Sequence, residues 1–345
     1  MKPITIAGGG LAGLTLGVYL QKLGVSVQLY ESGKYPKHKV CGEFICGVNP
    51  DVIETMGIEN ILQDSVEHQH VSWWVENDLI LQDDLPHVAW GLSRYKLDFD
   101  LADKFVSLGG ELVTGKRVSV SNFSQEGMVV GVGKNKKLSS KERWIGLKMH
   151  AKGVLPDQIN GLEMHLGKDG YMGLCRIEDD KVNCCGLFRV NLLAKGNGRE
   201  LIENYLYVNG LNQLAERLSS WEMDAGSFSA TAGFALGAQK GTGKFCIGDA
   251  SYLIPPFTGN GMSMAIESSY MAAPYLQSYA SGAVSWDATC LSYEKECGAM
   301  FKKRMNLSSK IHPILFKKAG RMLLKFSAKT RTLPFEFLFH QLRTP

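Results

Sequence analysis

Ile4-Thr5-Ile6-Ala7, then Gly8-Gly9-Gly10-Leu11-Ala12-Gly13, then a helical run from Leu14 to Leu23 closed by Gly24, then Ser26-Val27-Gln28-Leu29-Tyr30 ending on Glu31: this stretch decides the fold. It is a β-branched strand, a G-x-G-x-x-G turn, a helix and a second strand, each at the place a βαβ nucleotide-binding unit requires. Gly8 permits the tight turn, Gly10 lets backbone approach a pyrophosphate, and Gly13 lets helix pack on strand. The amides of Leu11 and Ala12 then open a helix whose N-terminus offers free N–H groups to phosphate. Glu31, eighteen residues past Gly13, is placed to accept hydrogen bonds from a ribose diol. An acid there disfavours a 2′-phosphate, which leaves FAD or NAD. The same unit accounts for the uncharged run from Pro3 to Leu20, whose glycines and missing cleavage signal separate it from a membrane span or secretory leader.

The far end of the chain chooses between the two dinucleotides. Lys244-Phe245-Cys246-Ile247 is another apolar strand. Gly248-Asp249-Ala250 follows, then Pro255-Pro256-Phe257-Thr258-Gly259-Asn260-Gly261-Met262 and a helical run from Ser263 to about Tyr279. This is a second strand-loop-helix cradle, with Asp249 suited to a polyol and glycines that free backbone amides. A nicotinamide dinucleotide needs no such second cradle, whereas a ribityl chain bearing a wide ring system does.

The remaining length of 345 residues suits two units. From Arg143 to Val190 the period changes to two. Trp144–His150, Leu162–Leu166, Tyr171–Ile177 and Val182–Val190 read as strands joined by Pro156-Asp157, Lys168-Asp169-Gly170 and Glu178-Asp179-Asp180 turns. Ser227–Leu236 and the Trp73-Trp74 strand complete the sheet. The expected class is α/β: a Rossmann-like FAD-binding domain over 1–65, 88–140 and 238–297, an inserted antiparallel β-sheet substrate domain over 66–87 and 141–237, and a basic amphipathic helical tail over 298–345. His150 and His165 are expected on neighbouring strands, where they could face a substrate but more often face solvent; His68-Gln69-His70 could line one strand face, with an exposed hairpin the favoured home. Cys184-Cys185, adjacent on a strand, point to opposite faces.

The eight cysteines contain no CxxC pair and none stands with a His at zinc spacing, so no metal is expected and the thiols read as reduced and cytoplasmic. Residues 298–345 hold eleven Lys and Arg against one acid, Glu336, on a mildly acidic body. There Ile311, Ile314, Leu315, Phe316, Met322, Leu323, Leu324 and Phe326 alternate with Lys310, Lys317, Lys318, Arg321 and Lys325. The pattern fits a helix that meets a membrane surface or an acidic carrier protein, or one that caps a substrate tunnel with a solvated basic face; either points to an apolar substrate. Nothing suggests nucleic-acid binding.

Together, the N-terminal glycine loop with Glu31, the central Arg94-Tyr95-Lys96-Leu97-Asp98…Leu101 and the late Gly248-Asp249-Ala250…Pro-Phe-Thr-Gly-Asn-Gly resemble the FAD-dependent para-hydroxybenzoate hydroxylase superfamily. Lys39-Val40-Cys41-Gly42-Glu43 and the Pro256–Met262 stretch look most like its geranylgeranyl reductase branch. The resemblance implies non-covalent FAD, with Leu11 and Ala12 at the pyrophosphate, Glu31 at the ribose, and Arg94 at the phosphates. It further implies Val118 at the adenine, Asp249 at the ribityl or pyrophosphate, and Gly261 and Met262 at the flavin ring, with Lys39, Pro256 and Gly259 in the same binding set. Cys41 is the candidate proton donor or redox partner near the ring. Two departures stand out. The superfamily's mid-chain Asp-Gly motif is replaced by Gly133–Ser139, which bears on NAD(P)H as electron donor, and the reductases' aromatic motif is missing near Gly170–Leu174. The functional expectation is C=C reduction of an apolar substrate slightly ahead of O₂- and NAD(P)H-dependent hydroxylation. A halogenase, which lacks its W-x-W-x-I-P stretch here, and a non-catalytic flavin sensor stand behind both.

Overall fold

The computed structural model describes residues 1–133, 144–233, 237–238, 244–330, 332 and 334–343. Along the chain, β1 (Ile4–Ala7), α1 (Leu11–Lys22), β2 (Val27–Glu31), β3 (Phe44–Cys46) and α2 (Pro50–Met56) come first. A long hairpin of β4 (Val66–Val75) and β5 (Asp78–Gly91) leads to α3 (Arg94–Ser107), β6 (Glu111–Thr114) and β7 (Met128–Val130). Next stand β8 (Trp144–Lys152), β9 (Leu162–Leu166), β10 (Gly170–Ile177), β11 (Lys181–Arg189), α4 (Gly198–Val208) and α5 (Asn212–Ser219). After β12 (Glu222–Ala232) and the short β13 (Gly237–Ala238), β14 (Phe245–Cys246) and β15 (Tyr252–Leu253), the chain closes with helices. These are α6 (Gly261–Ala280), α7 (Trp286–Leu315), α8 (Lys318–Lys329) and α9 (Phe335–Arg343).

Two sheets divide the work. A five-stranded parallel sheet has the order β14-β7-β1-β2-β6, with Ile4 opposite Val27 and Phe245 opposite Val129. Its central strands β1 and β7 are covered on both faces, which is why they are almost wholly apolar, while the edge strand β6 is partly exposed. Helix α1 lies among α3 and α6 and buries all but its last two residues, so apolarity runs all round it rather than along one stripe.

The second sheet has eight strands, in the order β12-β8-β11-β10-β9-β4-β5-β3. It is antiparallel apart from the parallel β4–β9 pair, and it recruits β3 from the N-terminal segment. On one of its faces Leu147, Met149, Ala151, Cys184 and Phe188 pack with Ile202, Leu206, Leu214 and Leu218 of α4 and α5. Each such side chain contributes roughly 1.5–3 kcal/mol on burial, and the face holds the sheet rigid. Cys184 belongs to this core while Cys185 points to the other side, as the alternation requires.

Histidine placement departs from the sequence reading. His150 and His165 lie on β8 and β9, which β11 and β10 separate, and both are buried, as is His68. Burial follows from partners that local sequence does not reveal: Glu43 for His150, Glu163 for His165 and the Arg176 carbonyl for His68. His70 alone of this set is well exposed and pairs with Asp84. The expected 227–236 strand begins earlier, at Glu222, and its last residues lie outside the described set. Helix α7 starts before Gly298 and runs through it, and a buried Arg304–Glu267 pair at 2.6 Å ties it to α6.

Candidate active site

The phosphate loop is made of backbone. After β1, Gly8 adopts φ 111°, and a Cβ there would collide with the Gly131 carbonyl; one at Gly13 would collide with Gly8's. Gly10 caps α1 in an extended conformation without a side-chain hydrogen bond, so the Leu11, Ala12 and Gly13 amides remain on offer. Glu31 tightens this loop from below, its carboxylate accepting the Gly9 amide at 2.8 Å and the Gly33 amide at 2.7 Å. The Ser32 hydroxyl donates to the same carboxylate at 3.2 Å; a carboxylate has about four lone-pair positions, so three bonds leave one for a ribose. Tyr35 donates its hydroxyl to the Gly9 carbonyl at 2.6 Å, and burial followed by the charge of Glu31 raises its pKa.

The other predicted cofactor residues converge from separate elements. Val118 packs with Ala7, Phe123, Met128 and Val130 at the end of β1. Asp249 sits in a single turn directly after β14, and Gly248 of that turn donates to Ser268 of α6. Pro256 opens the turn that leads through Gly259 to the start of α6 at Gly261, with Met262 buried behind it. A Cβ at Gly10 or at Gly261 would meet no heavy atom within 4 Å. Asn260, 1% exposed, donates to the Leu342 carbonyl yet leaves its Oδ1 without a hydrogen-bond partner. Open space at two glycines and an orphaned buried acceptor beside one of them fit a bound FAD.

Arg94 and Lys39 share one partner. Asp98, buried at one α-helical turn past Arg94, takes the guanidinium through two bonds of 2.8 and 2.9 Å and the Lys39 ammonium at 2.7 Å. Burial alone would raise the Asp98 pKa, but the two cations hold it below its ordinary value. Arg94 is thus fixed in place, and it also reaches the Cys41 thiol. That thiol accepts the Glu43 amide at 3.5 Å, and burial raises its pKa despite Arg94.

Between the two sheets lies a charged cluster that motif reading passed over. Glu43 is fully buried and holds φ 58°, a left-handed conformation that non-glycine residues seldom adopt. Its carboxylate lies 3.3 Å from Lys148 Nζ and 2.6 Å from His150 Nε2, and it accepts the Arg94 amide at 3.0 Å. Lys148 Nζ also reaches His38 Nδ1 at 3.1 Å, and His38 stacks on Tyr95. Burial, then Lys148, lowers the His38 pKa to about 4. Asn183 donates to the Cys41 carbonyl at 2.9 Å, and its own buried Oδ1 has no partner. The signal that could have revealed the cluster is Lys148-x-His150 on one face of an otherwise apolar strand, together with the acid of the Lys39–Glu43 motif.

Beside this cluster is a cavity of about 160 Å³. Phe44, Val71, Trp73, Leu162, Phe257, Ile311, Leu315 and Phe339 line it, so β3, β4, β9, the Phe257 turn, α7 and α9 all contribute walls. Gly42 lines it as well; Cys41 does not. Arg343 closes one end, donating to the Cys46 carbonyl at 3.0 Å and the Thr258 carbonyl at 2.9 Å with the Phe44 and Phe339 rings nearby.

No family model matches the chain, and no curated protein matches it. Solved structures do. The flavin-dependent brominase Bmp2 is similar at TM-score 0.76 and 19% identity, over 99% of this chain and 93% of that one. PqsL, a probable FAD-dependent monooxygenase from Pseudomonas aeruginosa, is similar at 0.74 and 13%, over 94% and 99%. 2-Methyl-3-hydroxypyridine-5-carboxylic acid oxygenase is similar at 0.68 and 14%, over 96% and 98%. At these identities the likeness establishes the fold alone, which this chain shares with these flavin-dependent enzymes over nearly its whole length.

Proposed function

We propose that the chain is an FAD-dependent monooxygenase acting on an apolar molecule of about one ring. The carrying observation is the cavity: about 160 Å³, walled mostly by apolar side chains and bounded by Gly42 on one segment and by Phe257 and Thr258 on another. A cavity of roughly 150 Å³ holds benzene, whereas typical ligand pockets start near 300 Å³. An isoprenoid chain of the reductase branch needs several times this space. Oxygenation therefore moves ahead of C=C reduction in this reading, and the likeness to PqsL and to 2-methyl-3-hydroxypyridine-5-carboxylic acid oxygenase supports the same order.

FAD, when bound, supplies the redox chemistry and the activation of O₂. The chain holds it through the Leu11 and Ala12 amides, Glu31, Asp249 and the Gly261 and Met262 amides, and NAD(P)H is the proposed donor. The stretch expected to handle that donor, Gly133–Ser139, lies outside the described residues beyond Gly133. Apolar walls exclude water from the substrate, and Arg343 seals the cavity beside Phe44. The cluster of Glu43, Lys148 and His150 places charge and exchangeable protons behind Gly42, within the same seam. Cys41 faces Arg94 and the Glu43 amide, so in this reading it supports the loop and gives no proton to substrate.

The test is oxygen uptake by FAD-loaded protein with NAD(P)H and a panel of monocyclic aromatics. Substrate-stimulated O₂ consumption with a hydroxylated product is the expected result. A protein that neither retains nor takes up FAD overturns the reading, as does equal substrate turnover in strict absence of O₂.

A further inference from the structure

Helix α8 is docked the wrong way round for a soluble protein. A surface helix ordinarily buries its apolar stripe and shows its charges to water. On α8 two of the four cations, Arg321 and Lys325, face inward. Arg321 is 9% exposed, donates to the Lys168 and Phe316 carbonyls at 3.0 Å and lies 3.5 Å from Glu76; Lys325 pairs with Glu76 at 3.1 Å and Asp78 at 2.8 Å. Gly320 presses against the end of α7 so closely that a Cβ would collide with the Ile314 carbonyl. The outward stripe is Met322, Leu323 and Phe326, exposed 62%, 61% and 64%. Helical geometry puts Lys318 and Lys329 along one border of that stripe. Both are exposed, as are Lys317, Lys310 and Lys303, which follow one another with half-exposed Ile314 along the outer ridge of α7.

We propose that this face of α8, with the adjoining ridge of α7, docks on an anionic lipid bilayer. A contiguous apolar stripe rimmed by cations is what an interfacial helix presents to headgroups, with each Lys adding attraction to acidic lipid. Charge complementarity selects the occupant: Lys303, Lys310, Lys317, Lys318 and Lys329 are all exposed along this ridge and stripe, and residues 298–345 hold one acid, Glu336. Among the described residues no helix is long and apolar enough to cross a membrane, so the contact is peripheral. Leu324, on the opposite side of α8, lines the apolar cavity. One helix thus separates the cavity from the docked surface. That this position serves substrate entry rests on the proposed function; the docking itself does not.

The experiment is sedimentation of the full chain with phosphatidylcholine vesicles and with vesicles containing about one third phosphatidylglycerol, flavin content being measured separately. The parent is expected to bind the anionic vesicles roughly tenfold more tightly than the neutral ones, with salt weakening the contact. Met322→Ser/Leu323→Ser/Phe326→Ser should lose about tenfold or more, and Lys318→Glu/Lys329→Glu should remove the preference for anionic lipid. These positions are exposed, so the melting temperature should stay unchanged. Parent protein left in the supernatant with anionic vesicles overturns the proposal, as does a triple variant that binds like the parent. A dimer that the triple variant abolishes, without any vesicle binding, also overturns it and assigns the face to a second copy. Loss of flavin content with vesicle binding intact would strike the proposed function and leave the docking standing.

Discussion

The phosphate loop and the Glu43 cluster flank the same proposed cofactor and are built on opposite principles. Residues 8–13 present amides and empty space, and they depend on side chains being absent. The cluster depends on side chains being present, drawn from Glu43, Lys148 and His150 and buried almost completely. A backbone site is insensitive to charge and intolerant of a single added carbon. A side-chain site tolerates changes of shape and is governed by whether each charge keeps its partner. The difference predicts which perturbation breaks each.

Gly13→Ala should have the largest effect on cofactor affinity. Its methyl group would collide with the Gly8 carbonyl, displacing the turn on which pyrophosphate binds, so FAD affinity should fall at least a hundredfold, roughly 3 kcal/mol. Titration of apoprotein by flavin fluorescence measures this, with circular dichroism as the check on folding. Near-parental affinity would mean the loop is not the cofactor's cradle.

Glu43→Ala should destabilise the fold by about 3–5 kcal/mol, because Lys148 would be left as a buried charge without its counter-ion. Pairing Glu43→Ala with Lys148→Met removes both charges and should recover most of the loss, a coupling that urea unfolding of the double-mutant cycle can read. Additive losses would show the two residues act independently. Glu31→Ala comes next: losing the carboxylate that holds Gly9 and Gly33 should weaken FAD by ~1.5–3 kcal/mol, about tenfold to a hundredfold, with little change in melting temperature.

Acid should act on the cluster and spare the loop. His38 stays neutral in the folded protein down to about pH 4, whereas an unfolded chain protonates it near pH 6.5. The unfolded state therefore binds more protons across that window, and stability falls as pH falls from 6.5 towards 4. The melting temperature should show this slope, and His38→Gln should flatten it. The smallest effect belongs to Cys41→Ser, which should leave oxygen-dependent turnover nearly intact; loss of most activity would return the thiol to the mechanism.

Legibility in the sequence follows the same division. The β1–α1–β2 unit is local and every residue it needs lies within thirty-one positions, so its order and near-boundaries are readable. Helix α1 starts at Leu11 and not Leu14 because a glycine-rich stretch looks like loop even where Gly13 is already helical. Strands β8 to β11 are readable because alternation and turn residues repeat. The burial of Lys148 and His150 is not, since it depends on an acid more than a hundred positions away in a left-handed backbone conformation. The tail's amphipathic period is plain in the sequence, yet which side faces outward is settled by Glu76 and Asp78 on the distant hairpin.

Arg343 carries a consequence for the order of events in synthesis. Its guanidinium joins the Cys46 and Thr258 carbonyls, and Asn260 donates to Leu342 beside it. A growing chain folds its earlier parts first. The phosphate loop can thus form while the carbonyls that Arg343 will occupy still wait for α9 to leave the ribosome. If the loop is the FAD site proposed above, a nascent chain at that stage would have its diphosphate-binding backbone in place and its cavity still unroofed. Loading and sealing would then be separable in time, and a chain cut short before α9 is expected to keep FAD binding more readily than its closed cavity.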